Sequence, residues 1–421
     1  MVGCCKPISR VLRKTASVMT KLRNWLRSAG AGKEYSLGRA LLELLDGYLY
    51  AGAGTTTSAP HVRDSLNLQR LLNTFVVATI PCWLIGMWNL GEQTHLAMAV
   101  MDLETAPGWR HGVFEALGVT YDPRSSSANL LHGLLYFAPI FIVALATGAL
   151  WEAIFAKYRR RPADHGLLQT AWFFSLMMPA TTSMMLVVLG MTFASVVGKL
   201  IFGGSGRYLI NPALLGIAFL VFSYSTVLYA PGAWIPVAGY DEPTTIELLV
   251  DEGGVAALLS VNYTWQQVFL GNQPGPIGLT SIFGCLLGAF YLIYCGVASW
   301  RIMLGSLLGL IVTVTIFNAF GPPGDPNYAV PWYWHAAVGS WAFGTVFIAT
   351  DPVAAANTNP GRWGFGFMVG VVTIVVRVTN PAYYDGMIFA ILLACIFSPL
   401  FDYVVVQRNI RRRAARQEAR K

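Results

Sequence analysis

The chain has 421 residues, 55% of them hydrophobic and only 12% charged, with 29 basic against 21 acidic side chains. A mean hydropathy of +0.53 excludes a water-soluble globular protein, which would carry about twice the charge, and apolar runs that are continuous rather than alternating exclude a β-barrel. The formal net charge of +8 does not point to nucleic acid, because the basic residues gather at the termini and in short segments between apolar runs, where they report topology and contact with the lipid bilayer. What remains is an all-α polytopic membrane helix bundle.

In residues 1–70, Ile8, Val11, Leu12, Val18, Met19, Leu22, Trp25 and Leu26 recur at helical spacing among Lys and Arg. This predicts an amphipathic basic helix lying on the inner leaflet. No apolar core followed by a small-residue cleavage site marks a secretory signal; an Arg-rich, acid-poor organelle transit peptide is the alternative. Cys4 and Cys5 are adjacent, either lipidated or incidental. Ten transmembrane spans are predicted near 71–90, 133–156, 167–183, 184–203, 212–229, 277–298, 302–319, 335–350, 363–379 and 386–402. Within 167–203 the only turn signals are Pro179 and Thr181–Ser183, which leaves a tight hairpin or one long broken helix. Cys82, Cys285, Cys295 and Cys395 fall inside apolar spans as small packing residues, with no metal spacing and no disulfide framework. The chain thus divides into an N-terminal segment (1–70), a transmembrane domain (71–406) and a basic tail (407–421).

Charge orients these spans. With both termini cytoplasmic, 26 basic residues fall on the cytoplasmic side, Arg110 and Arg124 fall opposite, and Arg377 sits within a span. The 93 positions between Arg207 and Arg301 contain no Lys or Arg. Their polar middle, roughly 230–276, carries Asp241, Glu242, Glu247, Asp251 and Glu252 with Thr244 and Thr245, and it faces outward.

Three carboxylates approach membrane depth: Glu152, Asp351 and Asp402. A carboxylate there costs about 2.5–3.5 kcal/mol on insertion scales, so it tends to face a cavity, an ion or a basic partner; a helix-end acid at the interface is the inexpensive alternative. The turn Phe202-Gly203-Gly204-Ser205-Gly206-Arg207 lets backbone N–H groups approach an anion or a ring, yet it is neither a Walker motif nor a dinucleotide fingerprint, and by itself reads as a tight interhelical turn. Thr244 offers an esterifiable hydroxyl, or is simply loop. Trp332-Tyr333-Trp334-His335 fits an interfacial aromatic belt. No catalytic triad, HExxH or iron–sulfur cysteine set is present. Asn211-Pro212 and Asn359-Pro360 follow the fourth and eighth spans on the same face, as duplicated halves would place them, although Asn-Pro pairs are also common turn formers.

Taken together, an ordered set of motifs resembles the B-subunit family of the Na+-translocating NADH:quinone oxidoreductases. These are Pro60-His61-Val62-Arg63-Asp64-Ser65, the turn Phe202–Arg207 leading to Asn211-Pro212-Ala213-Leu214, and Gly296-Val297-Ala298-Ser299-Trp300-Arg301. Ala349-Thr350-Asp351-Pro352-Val353, Asn380-Pro381-Ala382-Tyr383 and Pro399-Leu400-Phe401-Asp402 complete the set. The related D-type subunits of Rnf electron-transport complexes share the core but generally lack the His-Val-Arg-Asp extension. The resemblance implies a multi-pass bacterial inner-membrane component of a six-subunit complex, with five partners (the A, C, D, E and F subunits). It implies a transmembrane domain that binds FMN through a phosphoester to Thr244 on the periplasmic side and riboflavin near Asn211. It further implies electron transfer to ubiquinone beside Gly148 and Ala149, and Na+ movement past Glu152, Asp351 and Asp402.

The chain departs from the family pattern in places. Ala149 stands where the family can have a second glycine, and Tyr208 stands where it has an Asn. The flavin loop reads Ala238-Gly239-Tyr240-Asp241-Glu242-Pro243-Thr244 in place of a pattern close to Asp-Gly-aromatic-Ser-Gly-Ala-Thr. Alternatives are an Rnf-type D component and a channel or secondary transporter of the same architecture without covalent flavin.

Overall fold

A computed structural model describes Gly38 and residues 67–419, apart from 104, 106–107, 161–165, 231, 238, 252, 323 and 381–384. The amphipathic helix expected within 1–70, Cys4 and Cys5, the Pro60–Ser65 motif, Pro381–Tyr383 of the Asn-Pro-Ala-Tyr motif, Ala238 and Glu252 lie outside the described residues. The described residues form helices and no β-strand.

Helices α1 (Leu68–Ala78) and α2 (Ile80–Val100) meet at Thr79, where Pro81 in the first turn of α2 cannot continue the preceding hydrogen-bond ladder. A short α3 (Trp109–Leu117) precedes α4 (Ser126–Arg159), which the Ser125 side chain caps and which is apolar around its circumference, as a membrane span is. The 167–203 region is a hairpin. Helix α5 (Leu167–Met177) leads through an extended turn into α6 (Met184–Ser195), which widens into a π-helical end, Val196–Leu200. The two ends meet, since a methyl on Gly166 would strike Ser205. At the far end Thr181 Oγ1 donates to the Ala233 carbonyl at 3.0 Å. Asn211 then caps α7 (Pro212–Leu228), accepting from Ala213 N at 3.0 Å, with Pro212 pre-set for the first helical position.

Short helices α8 (Thr245–Asp251), α9 (Val255–Ser260) and α10 (Trp265–Leu270) form a small separate core of Leu248, Leu249, Leu258, Val268, Trp334 and Val338 at the same end of the bundle as Thr181. The remaining helices are α11 (Ile282–Tyr294), α12 (Trp300–Phe320), α13 (Trp332–Ala337), α14 (Trp341–Phe343) with its π-helical extension Gly344–Ile348, α15 (Asn359–Thr379) and α16 (Met387–Glu418).

Five stretches are long and apolar enough to cross a membrane: Leu68–Val100, Ser126–Arg159, Trp300–Phe320, Asn359–Thr379 and Met387–Glu418. Shorter apolar helices cover the expected spans at 167–183, 184–203, 212–229 and 277–298. The expected span over 335–350 differs: it is broken at Val338–Ser340, where Gly339 adopts φ +78°. That conformation suits glycine. The break is tolerable at depth because Ser340 N donates to Asp385 at 3.1 Å and the irregular backbone lines a cavity.

Helices α12 and α15 pack most closely. A methyl on Gly305 would lie 2.9 Å from the Trp363 carbonyl oxygen, and methyls on Gly309, Gly366 and Gly370 would each land on a facing carbonyl. Small residues in register permit this backbone contact. The Asn-Pro echo is structural as well: a five-residue π segment precedes both Asn211-Pro212 and Asn359-Pro360.

Candidate functional site

Thr244 sits where the short helices α8–α10 meet the bundle. It is buried at 6% exposure, yet it borders a cavity of about 330 Å³. The wall is largely apolar, from α5, α7 and α16, with Trp234 and Phe389 supplying rings. The polar part of the rim is the α13–α14 break, the Gln273–Thr280 loop and Asp385. Thr280 Oγ1 and Ser340 Oγ, both on this wall, are buried without a hydrogen-bond partner. Such orphans mark a place where polar groups await a ligand or water.

The Thr244 hydroxyl already has a local role. Thr244 N donates to Glu247 Oε2 at 2.8 Å, and Glu247 N donates back to Thr244 Oγ1 at 3.4 Å. This reciprocal capping box starts α8. Thr245 Oγ1 donates to Gln273 Oε1. Gln273 in turn donates to the Thr280 carbonyl at 2.8 Å, and its own carbonyl accepts from Asn89 at 2.7 Å. The Gln273 side chain therefore ties the start of α8 to the cavity wall, and its backbone carbonyl ties the same residue to α2.

The substituted loop is braced by the residues that make it unusual. Asp241 accepts from Gly232 N at 3.0 Å. Glu242 accepts from Tyr240 at 2.9 Å and, through its other oxygen, from Tyr263. Burial first, and the neighbouring Glu242 second, push the Tyr240 phenol up to about 12 and Tyr263 well above the ordinary tyrosine range.

At the opposite end of the bundle the expected acidic residues occupy three different settings. Asp351, fully buried, follows the second π segment. It accepts from Asn211 Nδ2 at 2.8 Å, from Tyr208 Oη at 3.1 Å and from Val353 N at 2.9 Å. Asn211 and Asp351 are thus one cluster, and Tyr208 donates to the same carboxylate. Asp402, on α16, accepts from Asn357 N and Thr358 N, each at 2.8 Å, and from the Thr358 hydroxyl at 2.5 Å, so it ties the start of α15 to α16. Glu152, on α4, is ion-paired with Lys199. One turn before it, Gly148 faces α5 and α6, and the Leu167 and Met191 side chains fill the space a methyl there would need; Ala149 turns to a more open face. The bundle brings Asn211 and Asp351 together, but it keeps Thr244 at the other end.

A family model described as the NQR2, RnfD, RnfE family matches residues 55–411. The chain belongs to this family. Among its NQR2-type relatives, the protein of Chromohalobacter salexigens is 41% identical over 388 residues, covering 92% of this chain and 94% of the relative. Those of Azotobacter vinelandii and Stutzerimonas stutzeri are each 40% identical over 387 residues, covering 91% of this chain and 96% of theirs. All three are named as the B subunit of a Na(+)-translocating NADH-quinone reductase.

Within this NQR2-type chain, sequence reasoning singles out Thr244 but misses its setting. The Thr-x-x-Glu spacing of Thr244 and Glu247 is a readable capping signal. Gln273 carries none, because its partners lie far away in sequence. Nor does a buried relay in which Asn129 Oδ1 meets His95 Nδ1 at 2.7 Å and His95 Nε2 meets His132 Nδ1 at 2.9 Å. Lys199 is counted among the cytoplasmic-side basic residues although it falls at the end of the expected span 184–203, and it is 1% exposed.

Proposed function

We propose that this chain is the flavin-bearing membrane subunit of a Na+-translocating NADH:quinone reductase, with FMN esterified to Thr244 and riboflavin near Asn211. In this reading it passes electrons to ubiquinone beside Gly148 and Ala149, coupled to Na+ movement past Glu152, Asp351 and Asp402. It works with the A, C, D, E and F subunits in a bacterial inner membrane, with cytoplasmic termini and Thr244 on the periplasmic side. The observation that carries the reading is a Thr hydroxyl on the rim of a ring-lined cavity, in a chain about 40% identical over nine-tenths of its length to relatives named as the B subunit of such a reductase.

The residues present fit a flavin at Thr244. The cavity has small-molecule size, apolar walls and two unpartnered hydroxyls, Thr280 and Ser340. Thr244 Oγ1 uses only its acceptor capacity in the capping box. An ester oxygen keeps that capacity, so the cap and the phosphoester are compatible. A flavin bound here supplies electron-transfer chemistry; the chain's own part is to fix Thr244 through Glu247 and Gln273 and to exclude water with the apolar wall.

The test is in-gel ultraviolet fluorescence of the denatured polypeptide from the intact complex. A fluorescent band is expected, lost in Thr244→Ala and kept in Thr244→Ser. A dark wild-type band combined with NADH-independent ion flux in vesicles would instead identify a transporter without covalent flavin.

A further inference from the structure

Arg377, in the last turn of α15, is the only buried arginine among the described residues, at 0% exposure. Its Nη1 donates to the His335 carbonyl at 2.6 Å, beside the α13–α14 break. Nε and Nη2 have no hydrogen-bond partner, and Asp385 Oδ1 lies 3.7 Å from Nη2, an ion pair rather than a hydrogen bond. A residue needed only to staple the break could do so with a neutral donor, without burying a charge. Asp385 faces two ways. Its Oδ1 is the partner of Arg377, its Oδ2 accepts from Ser340 N at 3.1 Å, and the residue lies on the wall of the cavity beside Thr244. The wall is thin at Gly339, which also lines the cavity: a methyl there would lie 2.8 Å from Arg377 Nη2 and 3.6 Å from Asp385 Oδ1. No Lys or Arg is among the described lining residues, and the other charged one, Glu247, accepts from Thr244 N. The pair therefore stands against the cavity with only the Gly339 backbone screening its positive member.

We propose that the Arg377–Asp385 pair sets the reduction potential of the flavin in the Thr244 cavity, the guanidinium favouring the reduced form and the carboxylate opposing it. This rests on the reading of Thr244 as the flavin acceptor. Charge balance gives the reason. Reduction adds two electrons, which NADH supplies in that reading, and one proton from solvent, so the ring ends one unit more negative. A fixed positive charge nearby stabilises the added charge, and a fixed negative one destabilises it. The cavity wall is largely apolar, so both charges are weakly screened. With both present their effects oppose each other, and removing either one exposes the other. Neither residue belongs to the Thr244–Glu247 cap, so each can be changed without touching the point of attachment. Both act through their charge rather than by contact with the reacting atoms.

The experiment is a redox titration of the purified complex followed by visible absorbance, in which the Thr244 flavin is the signal missing from Thr244→Ala. In-gel fluorescence and subunit composition serve as controls for attachment and assembly. Asp385→Asn keeps an acceptor for Ser340 N but loses the negative charge. It should raise the midpoint by about 30 mV, a tenfold change in a two-electron equilibrium. Arg377→Met loses the positive charge and should lower the midpoint by a similar amount. Asp385→Glu should stay at the wild-type value. A general loosening of the wall would move the Asp385→Asn and Arg377→Met midpoints the same way, whereas lost charges move them apart. Shifts of one sign, or none, with the fluorescent band intact, overturn the proposal. If Arg377→Met does not assemble, the two Asp385 variants carry the test, and a midpoint common to both overturns it. No signal missing from Thr244→Ala overturns instead the underlying reading of Thr244.

Discussion

Thr244 shows how much one hydroxyl can be asked to do. It caps α8 with Glu247, lies against the cavity, and is the hydroxyl proposed here to carry the phosphoester. Thr244→Ala should therefore lose the fluorescent band and also about 1 kcal/mol of cap stability. Thr244→Ser should keep both, as thermal unfolding of the complex would show. The neighbouring Glu242 brace makes a separate prediction. Tyr240 has a folded-state pKa raised to about 12 from an ordinary 10.0, so its contribution is complete below pH 10 and is lost as pH rises towards 12. In Glu242→Gln the part of the shift owed to the carboxylate disappears while the part owed to burial remains. Tyrosinate absorbance should then rise at lower pH than in the wild type; coincident titration curves would dismiss the brace. At this scale the sequence is only partly legible. The Thr-x-x-Glu pattern is local and visible, whereas Gln273 and Lys199 acquire their partners only through packing.

The long helices are legible because hydropathy reports them directly, and α4, α12, α15 and α16 contain the expected spans. The break at Val338–Ser340 is not, because its residues are as apolar or small as the helix around them; only Gly339 hints at it. The π segments leave no compositional trace at all. The glycine seam between α12 and α15 yields a sharp contrast. Gly370→Val should separate the helices and sharply lower the yield of assembled complex, because even a methyl there strikes the Ser306 carbonyl. Gly112→Ala, on the short α3 with no atom near the new methyl, should leave thermal stability unchanged or slightly raised, since alanine is the better helix former.

For the molecule as a whole, the charge distribution predicts its orientation. A cysteine placed at the exposed Asp241, in a background without other reactive thiols, should react with a membrane-impermeant maleimide from the periplasmic side. One at Arg413 should react only from the cytoplasmic side. Labelling from exchanged sides would reverse the map, and labelling of both from one side would refute it. The seam between α12 and α15 has a mechanical meaning beyond its stability. Two helices whose glycines sit on each other's carbonyls cannot slide by even one residue without backbone collision, so they behave as a single strut. Between them in sequence lies the α13–α14 break, where Ser340 N donates to Asp385 at 3.1 Å and the backbone borders the cavity. Slack in this half of the protein is thereby confined to the few residues nearest the cavity. Any adjustment to what the cavity holds is made against a fixed frame.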